Sequence, residues 1–292
     1  MACTVSAGGR LSISSPAVLP GEHTGEVDGP QGALQIFWRG EPAGEGAPTP
    51  LYVHGVPTAS WEWQSFLART GGLAPDLPGF GRSGKPGYLQ YTVEEYDLFL
   101  ERFLELVGAQ RVQLVVHDWG AVGLALAQRR PELIERLVVI NAVPFLPGYS
   151  WHRTAKIWRT PGLGELAMGT TNNFTTRLLT RESNVAPGPL PQEWIARTLA
   201  GFDQGTQRAI LRLYRSSPPE KLERLGEGLG ELDMPALVVW GLADPYIPAR
   251  FGKSYAERLP RAELVEYRDA GHWVWLDRPD VIERVAEFLG AG

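Results

Sequence analysis

The chain has 292 residues, 43% of them hydrophobic, with a single cysteine and a formal net charge of -5. That length and apolar content suffice for one large domain or a domain carrying an insertion. The acidic balance, with no Lys/Arg run to neutralise phosphates, excludes a nucleic-acid or anionic-membrane partner and points to small molecules. Cys3 alone cannot form an intrachain disulfide or a cysteine-based metal site.

Residues 1 to about 20 mix Ser, Gly and Pro with scattered apolar residues and read as a loose arm. They have neither a basic start nor a sustained apolar stretch, so no secretory signal is expected. No apolar run approaches the roughly 20 residues that a membrane helix needs, and a soluble, cytoplasmic protein is expected.

Glu22 to Val27 and Ala33 to Arg39 alternate as two strands joined by the turn Asp28-Gly29-Pro30. Leu51-Tyr52-Val53 is a short apolar strand that runs into His54-Gly55-Val56-Pro57, followed by a helix from Trp61 to Ala68. Leu73-Ala74-Pro75-Asp76 ends the next strand. Thr92 and Glu95 form a capping box for a helix whose apolar face is Leu98, Phe99, Phe103, Leu106 and Val107.

Leu114-Val115-Val116-His117-Asp118-Trp119-Gly120 is the informative stretch: a buried strand, a sharp acidic turn, then a helix from Ala121 to about Arg130. Leu137 to Ile140 is another buried strand. From about Pro144 to Leu232 the pattern turns helical, with segments at Trp151 to Trp158, Asn173 to Leu179, Gln192 to Leu199, Thr206 to Tyr214 and Pro219 to Leu225. Strands return at Ala236 to Trp240 and Glu263 to Tyr267, with helices at Arg250 to Arg258 and Val281 to Leu289. The alternation predicts an α/β fold. Its sheet has eight strands, mostly parallel, with helices on both faces. Residues 1–143 and 232–292 form the core domain, and 144–231 an inserted helical cap.

Three candidate residues follow strand ends in the order Asp118, Asp244, His272. Ligands of such sheets bind at the carboxyl ends of strands, so loops distant in sequence converge there. With His54-Gly55-Val56-Pro57, Asp76 to Ser83, His117-Asp118-Trp119-Gly120, Gly241 to Pro245 and Gly271-His272 in this order, the chain resembles the α/β-hydrolase superfamily over nearly its whole length. Within it, the resemblance is to the branch with an aspartate nucleophile, the epoxide hydrolases and haloalkane dehalogenases. No serine sits in a Gly-x-Ser-x-Gly pattern, which disfavours a serine esterase or lipase.

The resemblance implies that Asp118 attacks a carbon to form an alkyl ester, that His272 activates water against that ester, and that Asp244 orients His272. It also implies an oxyanion hole from the backbone N–H groups of Val56 and Trp119, each such donor worth about 3–4 kcal/mol. Plainer readings exist for each residue. Asp118 and Asp244 also suit turns, His272 a loop, and His54 and His117 read as structural.

Epoxide hydrolases of this branch protonate the opening ring with two cap tyrosines, and the inserted segment has two, Tyr149 and Tyr214. Leu213-Tyr214-Arg215 looks like the family's late-cap Tyr-Arg pair, while either tyrosine also suits core packing. Haloalkane dehalogenases hold halide with the Trp after the nucleophile, here Trp119, and a second donor, often Asn where this chain has Val56. Trp151, Trp158 or Trp194 could supply that donor instead. A fluoroacetate-type enzyme would want Arg where Trp119 stands. Trp119, Phe145 and Trp273 are expected pocket walls. The expected activity is epoxide hydrolysis without metal or organic cofactor, with haloalkane dehalogenation the alternative and a non-catalytic binding protein the remaining one.

Overall fold

The computed structural model describes residues 21–186 and 188–291. The expected N-terminal arm and Cys3 lie outside them. Eight strands form one sheet: β1 (Glu22–Gly29), β2 (Gly32–Glu41), β3 (Thr49–Val53), β4 (Gly72–Pro75), β5 (Val112–Asp118), β6 (Ile134–Ala142), β7 (Ala236–Gly241) and β8 (Ala262–Tyr267). Their spatial order is β1-β2-β4-β3-β5-β6-β7-β8. The β1–β2 and β2–β4 pairs are antiparallel, and the other pairs are parallel. The parallel register brings the carboxyl ends of β3, β5, β6, β7 and β8 to one edge, as the sequence predicts.

Successive side chains of a strand point to opposite faces, and here both faces are covered. Val53, Val116, Val139 and Val238 join one apolar cluster, whereas Tyr52, Val115, Val138 and Leu237 join another. The second cluster packs against α1 (Gln64–Thr70), through Phe66 and Leu67. The first packs against α2 (Val93–Val107) and α3 (Gly123–Arg129). Thr92 caps α2 reciprocally with Glu95, and Gly108 closes it in the left-handed region at φ 70°. Each fully buried Val or Leu contributes about 1.5–3 kcal/mol, so the run of buried residues in β3, β5 and β7 fixes which strands are central.

Between β6 and β7 lie α4 (Arg153–Arg159), α5 (Leu163–Gly169), α6 (Asn173–Leu179), α7 (Gln192–Ala200), α8 (Gln204–Ser216) and α9 (Pro219–Leu225). The chain ends with α10 (Arg250–Arg258), α11 (Val274–Asp277) and α12 (Asp280–Leu289). Helix α8 matters most for the site. It buries Ala209, Ile210, Leu213 and Tyr214, while Lys85 pairs with Asp203 at its N-terminus and Arg208 donates to the Lys85 carbonyl. These bonds seat α8 on the loop that follows β4.

Three local features depart from the sequence reading. The helix expected from Trp61 begins as a 3-10 turn at Ser60–Trp63, and the one expected from Ala121 begins as a 3-10 turn at Trp119–Val122. Helix α5 has no counterpart in the prediction, because Leu163 and Leu166 are exposed and give it no buried stripe to read. Among the described residues no helix is long and apolar enough to cross a membrane.

Candidate active site

Asp118 ends β5 at φ 48° and ψ -122°, outside the conformations ordinary residues favour, at a cost of about 1–3 kcal/mol. Its neighbours must be small. A Cβ on Gly120 would run into the Val53 carbonyl, and one on Gly55 into the Asp118 side chain itself. Val143 N–H donates to the Asp118 carbonyl at 2.9 Å, and Val56 N–H donates to Oδ2 at 2.8 Å. The carboxylate therefore projects with one oxygen already held and Oδ1 free of that bond.

His272 follows β8 and faces two carboxylates. Its Nδ1 donates to Asp244 Oδ2 at 2.8 Å, while Nε2 stands 3.9 Å from Asp118 Oδ1. The Nδ1 proton on Asp244 leaves the Nε2 lone pair directed toward the nucleophile side. Asp244 is itself fixed: Oδ1 accepts from Tyr246 N and Ile247 N at 2.7 and 3.1 Å, and Oδ2 accepts from Asn141 Nδ2 at 2.6 Å. Sequence reading missed Asn141. It is the last residue but one of β6, at φ 34°, and its Oδ1 accepts from Gly241 N–H at 2.8 Å, which ties the ends of β6 and β7 together. A polar residue directly after the apolar run Leu137 to Ile140 was the available signal.

Electrostatics follow from enclosure. Asp118, Asp244 and His272 are 6%, 8% and 3% exposed. Burial pushes the Asp118 carboxyl above the ordinary aspartate value, while His272, His117 and the Val56 N–H act against that shift. Asp244 is also opposed by burial, but His272 and Asn141 hold it below the usual range. Burial works against the His272 imidazolium, yet Asp244, then Asp118 and Glu62, raise its pKa above 6.5. The nearby His152 goes the other way: burial and the His272 charge pull it down to about 4.

A second buried acid and histidine lie behind the first. Glu62 accepts from Gly55 N–H at 3.3 Å and from Trp273 Nε1 at 3.4 Å, and His117 Nδ1 faces it at 3.6 Å. His117 Nε2 donates to the His272 carbonyl at 3.1 Å. His54 links the ends of β3 and β4, accepting from Leu77 N–H at 2.9 Å. His117 and His54 thus make structural contacts, and Glu62 escaped the sequence reading because it sits inside an expected helix.

Both tyrosines of the β6–β7 segment pack on Trp151, and Tyr214 also meets Trp119. The Trp119 ring stacks on Trp151 with centroids 5.4 Å apart and meets Tyr214 edge-on at 5.1 Å. Tyr149 packs edge-on against Trp151 at 5.0 Å, and Tyr214 lies 4.9 Å from the same ring. Burial raises both phenols well above their ordinary value, and the Asp118 charge adds to the rise in each. The Tyr149 hydroxyl and the Trp119 Nε1 are buried without a hydrogen-bond partner among the described residues. Trp151 Nε1 donates to the Ser217 carbonyl at 3.2 Å, so it is not free for a ligand.

Phe145 is fully buried, but its backbone packs against Gly226 and it enters none of the aromatic pairs around Trp119. Trp273 packs on His272 at 4.8 Å and on Trp194 at 5.7 Å, with its N–H turned to Glu62. An open cleft of about 330 Å3 flanks Pro57, Thr58, Trp61 and Arg197, and Asp118, Asp244 and His272 line none of it. No group of three or more His, Cys, Asp or Glu among the described residues is arranged to hold a metal ion.

Residues 51–279 match the sequence profile of the α/β hydrolase fold family, and the chain belongs to that family. Haloalkane dehalogenases are among the proteins it resembles. It is 27% identical over 278 residues to a haloalkane dehalogenase of Bradyrhizobium diazoefficiens, covering 84% of this chain and 87% of the relative. It is 28% identical over 272 residues to a cis-3-alkyl-4-alkyloxetan-2-one decarboxylase of Shewanella oneidensis, covering 84% and 83%. The crystal structure of haloalkane dehalogenase DbeA from Bradyrhizobium elkani USDA94 superposes with a TM-score of 0.79 at 27% identity, covering 92% of this chain and 97% of that one.

Proposed function

We propose that the protein is an epoxide hydrolase that adds water to a small or medium apolar epoxide through a covalent ester on Asp118, with the β6–β7 helices as its cap. One observation carries the reading: Tyr149 and Tyr214 share one aromatic group with Trp119, next to the carboxylate, and the Tyr149 hydroxyl is unpartnered. An epoxide oxygen becomes an alkoxide as the ring opens and needs a proton, which a phenol supplies. The two relatives carry different activities in their names, so the side chains must choose the reaction.

In the proposed first step Asp118 Oδ1 attacks a ring carbon, the C–O bond breaks, and the oxygen takes a proton from a tyrosine. Esterification removes the negative charge that helped raise both phenols, so they become stronger acids as the alkoxide forms. Oδ2, already accepting from Val56 N–H, becomes the ester carbonyl oxygen. In the second step His272 Nε2 takes a proton from water, and that water attacks the Asp118 carboxyl carbon. The resulting oxyanion is stabilised by the Val56 and Trp119 N–H groups. Collapse expels the alkoxide, which takes the remaining proton of the added water from the new carboxyl group to give the diol and the Asp118 carboxylate, and the proton on His272 returns to the tyrosinate.

His272 must be neutral to act as base, and its pKa lies above 6.5. Turnover is therefore expected to fall as pH drops and His272 takes up a proton, with Asp244 the group that favours its protonated form. A kcat profile that stays flat down to about pH 5 contradicts His272 as the base.

The alternative, haloalkane dehalogenation, draws on the unpartnered Trp119 Nε1 as a halide donor. Of the second donors considered, Val56 has no side-chain N–H and Trp151 is engaged, which leaves Trp158 and Trp194. Incubation with styrene oxide and with 1-bromobutane, following diol and bromide, separates the two. Diol is expected, and Tyr149→Phe with Tyr214→Phe together should slow its formation by about 10²–10⁴-fold. Bromide release without diol transfers the assignment to the dehalogenase. Neither product points to a binding protein.

A further inference from the structure

His272 is tied at three points, and one of them does not belong to the sheet. Nδ1 donates to Asp244 and the carbonyl accepts from His117, but the backbone N–H donates to the Ser183 carbonyl at 2.7 Å. Ser183 lies in the β6–β7 segment, between α6 and α7. Its carbonyl presses so closely on the histidine turn that a Cβ on Gly271 would run into it. The residues after Ser183 continue the contact. Asn184 Nδ2 donates to the Trp273 carbonyl at 3.1 Å and to Asp277 Oδ2 at 2.9 Å. Val185 and Ala186 donate their N–H groups to Asp277 at 3.0 and 3.2 Å. Asp277 Oδ2 also accepts from Gly271 N–H at 2.9 Å.

One carboxylate thus gathers N–H groups from the helical segment and from the residue just before His272. Every neighbour is a donor, which suits a side chain that only accepts. Asp118 is held separately, by Val56 and Val143, and no contact of Asp277 reaches it.

We propose that Asp277 is a positioning residue: it clamps residues 183–186 onto the Gly271–His272 turn and so sets His272 for the attack of water on the ester, while formation of the ester does not depend on it. The inference rests on reading Asp118 as nucleophile and His272 as base. A displaced base is costly, since a misplacement of about 1 Å lowers a rate by about 10²-fold.

The test is rapid-quench mass spectrometry of the full chain with styrene oxide, which times the appearance and the loss of the alkyl-enzyme separately. In Asp277→Ala the ester is expected to accumulate, its breakdown slowed about tenfold or more and its formation changed by less than about threefold. Asp277→Asn keeps one carbonyl oxygen for the donors now on Oδ2 and should fall between the two. Asn184→Ala removes one donor and should shift breakdown in the same direction by less. If Asp277→Ala does not fold, the other two variants decide on the same criterion. Equal losses in both steps, or unchanged breakdown in folded variants, overturn the assignment. A wild-type enzyme that forms no ester overturns the underlying reading as well, and is seen before any variant is made.

Discussion

Asp118→Ala is expected to lose turnover by at least about 10⁴-fold, the scale seen when a covalent nucleophile is removed. No neighbour can take its place. The other carboxylates close by are Asp244, whose oxygens are all engaged, and Glu62, which lies behind the Gly55 turn. The fold should survive, because the substitution removes a buried carboxylate that the enclosure already disfavours. Circular dichroism and thermal melting check that point. In water enriched with heavy oxygen, wild-type turnover should place the label in Asp118, since the attacking water adds to its carboxyl carbon. Diol formed without label in Asp118 would sink the covalent route and leave direct attack of water on the ring.

His272→Ala has a different signature. Steady-state turnover is expected to fall by about 10²–10⁴-fold, yet the first alkylation should proceed, because Asp118 needs no base to attack. The variant should therefore trap one substrate per chain as an ester, read as a single mass adduct on the peptide carrying Asp118. The 3.9 Å separation between Nε2 and Oδ1 favours this split: it is too long for a direct hydrogen bond and leaves the imidazole aimed at whatever approaches the ester. A His272→Ala protein that neither turns over nor gains mass contradicts the two-step scheme, and would make His272 necessary for alkylation.

Much of this site was legible in the sequence because strand ends are legible. Apolar runs ending in polar turns locate β5 and β7, a mixed polar and apolar stretch locates β8, and the α/β topology sends the residues that follow them to one edge. Asp118, Asp244 and His272 come together for that reason. The tyrosines depended on resemblance; Tyr214 meets both Trp119 and Trp151, and Tyr149 meets Trp151. What spacing does not encode is the direction of a side chain within a loop or helix. Trp273, expected as a pocket wall, packs on His272 while its N–H turns to Glu62, a direction that spacing does not report. Asn141, Glu62 and Asp277 act through hydrogen bonds to segments distant in sequence, a relation that no local pattern reports.

The aromatic enclosure around Asp118 bears on what becomes of the product. An epoxide brings a single weak acceptor into walls built from Trp119, Trp151, Tyr149 and Tyr214, and the free Tyr149 hydroxyl can meet it. A diol brings two hydroxyl groups. One can replace the epoxide oxygen at the phenol, while a second without a partner costs about 1–3 kcal/mol to keep out of water. On the proposed epoxide reading the same side chains would favour the substrate over what it becomes, so the diol is expected to inhibit weakly and conversion to run near completion as product builds up.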